Sequence, residues 1–177
     1  MKSSIELYPT ACNPLLIKPH RGLPASAAII GAGTIGPDIG YYLKSALPGM
    51  TLTLVDIDDK PLKSAEERLA AYAAKAVARR KMRPEQAENV LKDIHYTTDY
   101  DRLKNCDLVI EAATENIPLK QRIFSQIENI VSQETIITSN TSSIPADRLF
   151  MKMKHPERTS VTHFFAPAWR SLPVEVI

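Results

Sequence analysis

Residues Ala27 to Asp56 read AAIIGAGTIGPDIGYYLKSALPGMTLTLVD: an apolar strand, glycines at positions 31, 33 and 36, a helical stretch, a second apolar strand and an acid that closes it. Each glycine answers a separate steric demand where the strand turns into the helix. Gly31 permits the tight turn, Gly33 lets the backbone approach a pyrophosphate, and Gly36 lets helix and strand pack together. The helix opening at Thr34 and Ile35 aims its unpaired N–H groups and the positive end of its dipole at the phosphates. Pro37 is tolerated there because the first helical turn has no use for that amide. Asp56, twenty residues past Gly36, stands where a carboxylate accepts both ribose hydroxyls of the adenosine half. Its charge repels a 2′-phosphate, and neither Ile57 nor Asp58 supplies an arginine to welcome one. The expected cofactor is NAD, not NADP.

Three glycines alone are a loose pattern, and a tight turn without a ligand would also use them; the preceding strand, the following helix and the placed acid give them meaning. An S-adenosylmethionine methyltransferase shares the glycine turn and the acid. Its adenosine carries no pyrophosphate, which leaves the third glycine without a purpose.

A chain of 177 residues is long enough to bury a real core as one domain. A net charge of +2 predicts neither nucleic acid nor an anionic membrane as partner. Cys12 and Cys106 are too few and too far apart for a disulfide framework, which suits a reducing compartment. His20, His95, His155 and His163 form no ligand-spaced cluster, so no metal is expected. No apolar run approaches the roughly 20 residues needed to span a bilayer. Residues 1–25 hold Glu6 and the prolines 9, 14, 19 and 24, unlike a signal or transit peptide. They are expected to form an irregular arm, and the protein to be cytoplasmic.

Beyond Asp56, Leu62, Ala65, Leu69, Ala73 and Ala76 share one face of a helix, and Pro84 opens a second, short one ending near Leu91. A strand over Ile94–Thr97 precedes LVIEAA, apolar enough for a buried parallel strand. Asn116 and Pro118 signal a helix start, with Leu119, Ile123, Ile127 and Ile130 at helical spacing. TIITSN, a short helix from Pro145 to Phe150, SVTHFF and VEVI follow. This alternation predicts an α/β fold: a doubly wound, mostly parallel sheet of Rossmann type with helices on both faces, over residues 26–177.

In such a sheet ligands bind off the carboxyl ends of the strands. Glu115 and Asn116, the polar run Ser139–Ser143, and His163–Pro167 therefore converge beside the glycine turn. One or two residues of the polar run are expected to cap the next helix, and the rest exceed that need. His163 is the histidine beside this crevice, and Glu175 lies twelve residues on, across a proline-bearing connection that could bring the two strands together. An imidazole oriented by a carboxylate suits a general base for an alcohol that gives hydride to a nicotinamide. Spacing alone leaves open a core histidine and an unrelated strand glutamate.

The glycine turn, IEAATEN with Lys120, SNTSS, and HFFAP followed by PVEVI resemble, in this order, the NAD-binding domain of the L-3-hydroxyacyl-CoA dehydrogenases. The resemblance runs from Ser26 to Ile177, and its last two blocks are more specific than the glycines. It implies an NAD-dependent enzyme of fatty acid metabolism, in β-oxidation, that oxidises a 3-hydroxyacyl-CoA to the 3-ketoacyl-CoA. By it, His163 is the catalytic base and Glu175 its partner, Ser142 hydrogen-bonds the substrate's 3-oxygen with Asn140 close by, and Glu115 and Lys120 hold the nicotinamide-side ribose. The family also recognises coenzyme A phosphates from the helix after the second strand. Arg68, Lys75 and Arg79 share a face there and suit such a clamp, with Lys75 the single choice; a solvated face explains them equally well.

Two departures matter. Ala166 stands where the family has the asparagine of HFFNP, and Trp169 and Arg170 replace a mostly aliphatic stretch, which leaves acyl-chain preference open. Members of the family also continue into a helical domain that closes the acyl pocket and builds a homodimer; that domain would follow Ile177. Two other readings stay open: an NAD-binding module without catalysis, and a dehydrogenase of the same superfamily acting on a small hydroxy acid.

Overall fold

The computed structural model describes residues 21–171 and 173–177. The expected arm over residues 1–20 lies outside them.

The chain runs β1 (Ser26–Ile30), α1 (Gly36–Ala46), β2 (Thr51–Val55), α2 (Asp59–Ala78), α3 (Pro84–Leu91), β3 (Ile94–Thr97), a 3-10 turn, β4 (Leu108–Glu111), α4 (Ile117–Ile130), β5 (Ile136–Ser139), α5 (Ala146–Phe150), a second 3-10 turn, β6 (Thr159–Phe164) and β7 (Val174–Val176). The strands form one sheet in the order β3-β2-β1-β4-β5-β6-β7. Neighbours from β3 to β6 are parallel, and β7 returns antiparallel to β6. This is the doubly wound α/β fold read from the alternation of elements.

Side chains alternate faces along a strand, so a central strand covered on both sides must be apolar at every position. In β1, Ala27 and Ile29 join one core with Ile39, Leu52, Leu54, Leu62 and Leu69 under α1 and α2. Ala28 and Ile30 join the other, with Phe124, Ile127, Ile137 and Phe150 under α4 and α5. The α2 stripe is buried at Leu62, Ala65, Leu69 and Ala73. Local signals set the helix starts: Asp58 Oδ1 accepts the Lys60 amide, and Asn116 Oδ1 accepts the Leu119 amide, each at 2.9 Å.

Two boundaries differ from the sequence reading. Helix α1 opens at Gly36 and not at Thr34, because the turn occupies the intervening residues. Strand β4 ends at Glu111, because its next residues bend past the glycine turn: a Cβ on Gly31 would stand 2.7 Å from the Ala112 carbonyl oxygen.

Candidate functional site

The first wall of the site is the glycine turn. Gly31 has φ of +109°, a conformation L side chains rarely adopt, and its amide donates to the Val55 carbonyl at 2.8 Å. A Cβ on Gly36 would lie 1.9 Å from the Gly31 carbonyl oxygen, so only glycine lets α1 start this close to the strand. Gly33 faces open space, which is the condition for its backbone to approach a pyrophosphate.

Asp56, at the end of β2, is fixed by its surroundings. Its Oδ2 accepts the Ala32 amide at 2.7 Å and its Oδ1 the Ile57 amide at 2.8 Å. Two lone-pair positions remain for a pair of vicinal hydroxyls. A groove of about 750 Å³ runs from Asp56 and Ile57 along Gly33, Thr34 and Ile35 to Ala113 and Leu119. Its volume, anionic end and glycine floor fit a dinucleotide.

The second cluster forms where β4 and β5 end. Glu111 is fully buried and accepts from Lys120 Nζ at 2.7 and 2.9 Å, from the Ser139 hydroxyl at 2.6 Å and from the Ala113 amide at 2.7 Å. Lys120 is buried too, and it also meets the Ala113 carbonyl at 3.2 Å and Glu115 Oε2 at 3.1 Å. The lysine expected at the cofactor ribose is thus placed beneath Glu115, between two carboxylates. Glu115 keeps a partly exposed side chain and accepts from the Thr141 hydroxyl. Partial burial pushes its pKa up, but bonds from Thr141 and Lys120, the lysine's charge and the Ser142 amide outweigh this and hold the carboxyl below the usual carboxylate range. Glu115 therefore presents a stable anion to the crevice.

The polar run after β5 works in joints. Asn140 donates its amide to the Glu111 carbonyl at 2.7 Å, and its Oδ1 accepts the Phe164 amide at 2.8 Å. It thereby ties the ends of β4, β5 and β6 together, one residue from His163. The expected capping of the next helix is not made: α5 begins after Pro145 with no side-chain cap. Thr141 Oγ1 instead accepts the Ile144 amide at 3.1 Å. Ser142 is exposed at the mouth of this corner.

The antiparallel return of β7 sets Glu175 directly opposite His163 in register. Their side chains meet, Nδ1 to Oε2, at 3.4 Å, with the imidazole 19% exposed and the carboxylate 54% exposed. A carboxylate on Nδ1 leaves Nε2 as the face turned away from it, available as a proton acceptor. Phe165 packs at a tilt against the imidazole, with ring centroids 4.7 Å apart.

Of the three basic residues expected to share one face, Arg68 and Lys75 lie on α2 and Arg79 caps its end, and Arg68 does not join the others. Its Nη2 donates to the Gly33 carbonyl at 2.7 Å and its Nε stands 3.8 Å from Asp38 Oδ1. Lys75 and Arg79 are exposed, with no side-chain partner among the described residues. The sequence reading did not single out Glu111. Its signal was a carboxylate inside an otherwise buried apolar run, which demands a cation nearby.

A dinucleotide-binding domain of Rossmann type is what this turn, acid and groove define. Residues 26–177 match the family model of the 3-hydroxyacyl-CoA dehydrogenase NAD binding domain, and the chain belongs to that family. It is similar to 3-hydroxybutyryl-CoA dehydrogenase of Escherichia coli K12, at 35% identity and a TM-score of 0.84 over 88% of this chain and 32% of that one. It is similar as well to (S)-3-hydroxybutyryl-CoA dehydrogenase of Ralstonia eutropha, at 34% identity and a TM-score of 0.82 over 87% of this chain and 54% of that one. A third likeness, at 29% identity and a TM-score of 0.72 over 87% of this chain and 48% of the other, is to the NAD+-dependent 5-formyl-3-hydroxy-2-methylpyridine 4-carboxylic acid 5-dehydrogenase. The chain thus spans about a third to a half of the length of these relatives. No helix among the described residues is long and apolar enough to cross a membrane.

Proposed function

We propose that this chain is the cofactor-binding part of an enzyme that oxidises a (S)-3-hydroxyacyl-CoA to the 3-ketoacyl-CoA with NAD, and that His163 is its general base. The observation that carries the reading is the His163–Glu175 pair at the carboxyl edge of the sheet, beside a turn and groove fit for NAD. NAD supplies the hydride acceptor. His163 Nε2 takes the hydroxyl proton as the carbon loses hydride, and Glu175 fixes the tautomer and favours the imidazolium that forms. Ser142 donates to the 3-oxygen, and Asn140 keeps its corner closed against β6. Gly31, Gly33, Thr34, Ile35 and Gly36 seat the pyrophosphate, Asp56 the adenosine ribose, and Glu115 the second ribose with Lys120 holding it in place. Lys75 reaches a coenzyme A phosphate. The same reading carries a cytoplasmic setting in fatty acid β-oxidation, and a homodimer built through a helical domain after Ile177.

The test is reduction of acetoacetyl-CoA by NADH, with the expected helical domain joined after Ile177. His163→Ala should lower kcat by about 10²- to 10⁴-fold while leaving NADH affinity unchanged. Most of the turnover surviving in His163→Ala would overturn the assignment. NADH affinity without turnover in the unsubstituted protein would instead mark a binding module. The pyridine-carboxylate dehydrogenase among its relatives favours one further reading, a small hydroxy or oxo acid as substrate. Turnover of acetoacetate in place of its CoA thioester would select it.

A further inference from the structure

The connection between His163 and Glu175 does not lie free. Ala168 is fully buried in the core under α1 and α2, and Trp169, six residues past His163, stacks on Tyr72 of α2 with centroids 4.8 Å apart and planes at 22°. Arg170 also lies over the indole, its guanidinium 5.4 Å from the ring centre. The Tyr72 ring is also met edge-on by Tyr41 of α1, at 5.4 Å. Its hydroxyl donates to Asp38 Oδ1 at 2.9 Å. The same oxygen faces Arg68 Nε at 3.8 Å, and Arg68 Nη2 holds the Gly33 carbonyl.

That last bond matters for the cofactor. The Gly33 carbonyl and the Thr34 amide belong to one planar trans peptide and point in opposite directions. Holding the carbonyl on Arg68 therefore turns the Thr34 N–H away from α2. Thr34 lines the groove, so this amide is one of the donors a pyrophosphate would find.

We propose that Trp169 is a positioning residue that couples the dinucleotide turn to the loop following His163, through Tyr72, Asp38 and Arg68. Cofactor in the turn favours the seated form of the loop, and the seated loop tightens cofactor binding by the same factor, since coupling between two sites is reciprocal. The device depends on an aromatic residue at 169, where the resemblance leads one to expect an aliphatic stretch. The loop's role in placing a base rests on the function proposed for His163; its effect on the cofactor does not.

The test is a mutant cycle on NADH affinity, read by calorimetry with the 177-residue chain, with far-UV circular dichroism and urea midpoints as folding controls. Trp169→Ala should weaken NADH binding about fivefold, within the range of coupling through packed contacts. Trp169→Phe should restore affinity to within about twofold by keeping a stacked ring. Tyr72→Phe retains the stack and removes the bond to Asp38, and should weaken binding as Trp169→Ala does with an unchanged circular dichroism spectrum. In an Arg68→Met background, Trp169→Ala should have almost no further effect. Effects of Trp169→Ala and Arg68→Met that multiply would overturn the coupling, as would unchanged affinity in Tyr72→Phe. Absence of turnover in the unsubstituted protein, or turnover surviving in His163→Ala, would count against the function proposed for His163 and leave this cycle readable.

Discussion

At the scale of single residues, the molecule's most exacting arrangement is the Glu111–Lys120 pair, because both charges have left water. A buried ion pair holds together only while each partner has the other, and removing one member typically costs about 3–5 kcal/mol. Lys120→Met should therefore lower stability by about that amount, measured by urea unfolding, even without a cofactor present. Glu111→Gln in the same protein should recover part of the loss by removing the stranded charge. If Lys120 were only a ribose ligand, its substitution would leave apo stability intact. The glycines and Asp56 were legible in the sequence because their spacing is local and each answers a steric or charge demand at its own position. Glu111 was not, because its partners come from nine, two and 28 residues away. Lys120 was noticed for its place in the family pattern, which says nothing of its being sunk beneath Glu115.

At the scale of elements, the contact of α1 with β1 and β2 decides whether there is a site. Gly36 and Gly40 lie on the same helix and both admit close packing, yet alanine should act differently at each. At Gly36 the added carbon meets a backbone oxygen at 1.9 Å, and a backbone cannot step aside without moving the turn. Gly36→Ala should cost about 3 kcal/mol and abolish NADH binding in calorimetry. At Gly40 the nearest atom is Leu52 Cδ2, at 2.9 Å, the end of a side chain that can change rotamer. The gain in helix propensity, about 1 kcal/mol, offsets that adjustment, so Gly40→Ala should keep both its stability and its NADH affinity. Periodicity revealed these elements well because a strand buried on both faces and a helix buried on one leave different patterns. It could not reveal that β4 stops short or that the polar run after β5 joins strands instead of capping α5, since both follow from what the neighbouring loops do.

At the scale of the whole molecule, the sheet has two ends with separate duties. The carboxyl ends of β1, β2, β4, β5 and β6 carry the turn, the acid and the His163 corner, whereas the amino ends are held by Asp107. That carboxylate accepts the Ala25 and Ser26 amides at 2.9 Å each and the Ser26 hydroxyl at 3.0 Å, pinning the entry of β1 to that of β4. The Ser26 amide lowers its pKa most; against some loss of solvation, the Ser26 hydroxyl, the Ala25 amide and Arg21 add to that effect. A carboxyl with a depressed pKa in the folded state stabilises the fold at any pH above its unfolded value, about 3.9, and loses that contribution as pH falls through the folded value. Asp107→Asn should accordingly be less stable than the parent by a constant margin from pH 7 to about pH 5. Urea midpoints should then converge below about pH 4, as the parent's own carboxyl takes up its proton. A margin that persists unchanged to pH 3 would mean that packing at this joint, and not its charge, sustains the difference. NADH affinity at pH 7 should be the same in both proteins, because the sheet separates this joint from the groove by the full length of its strands.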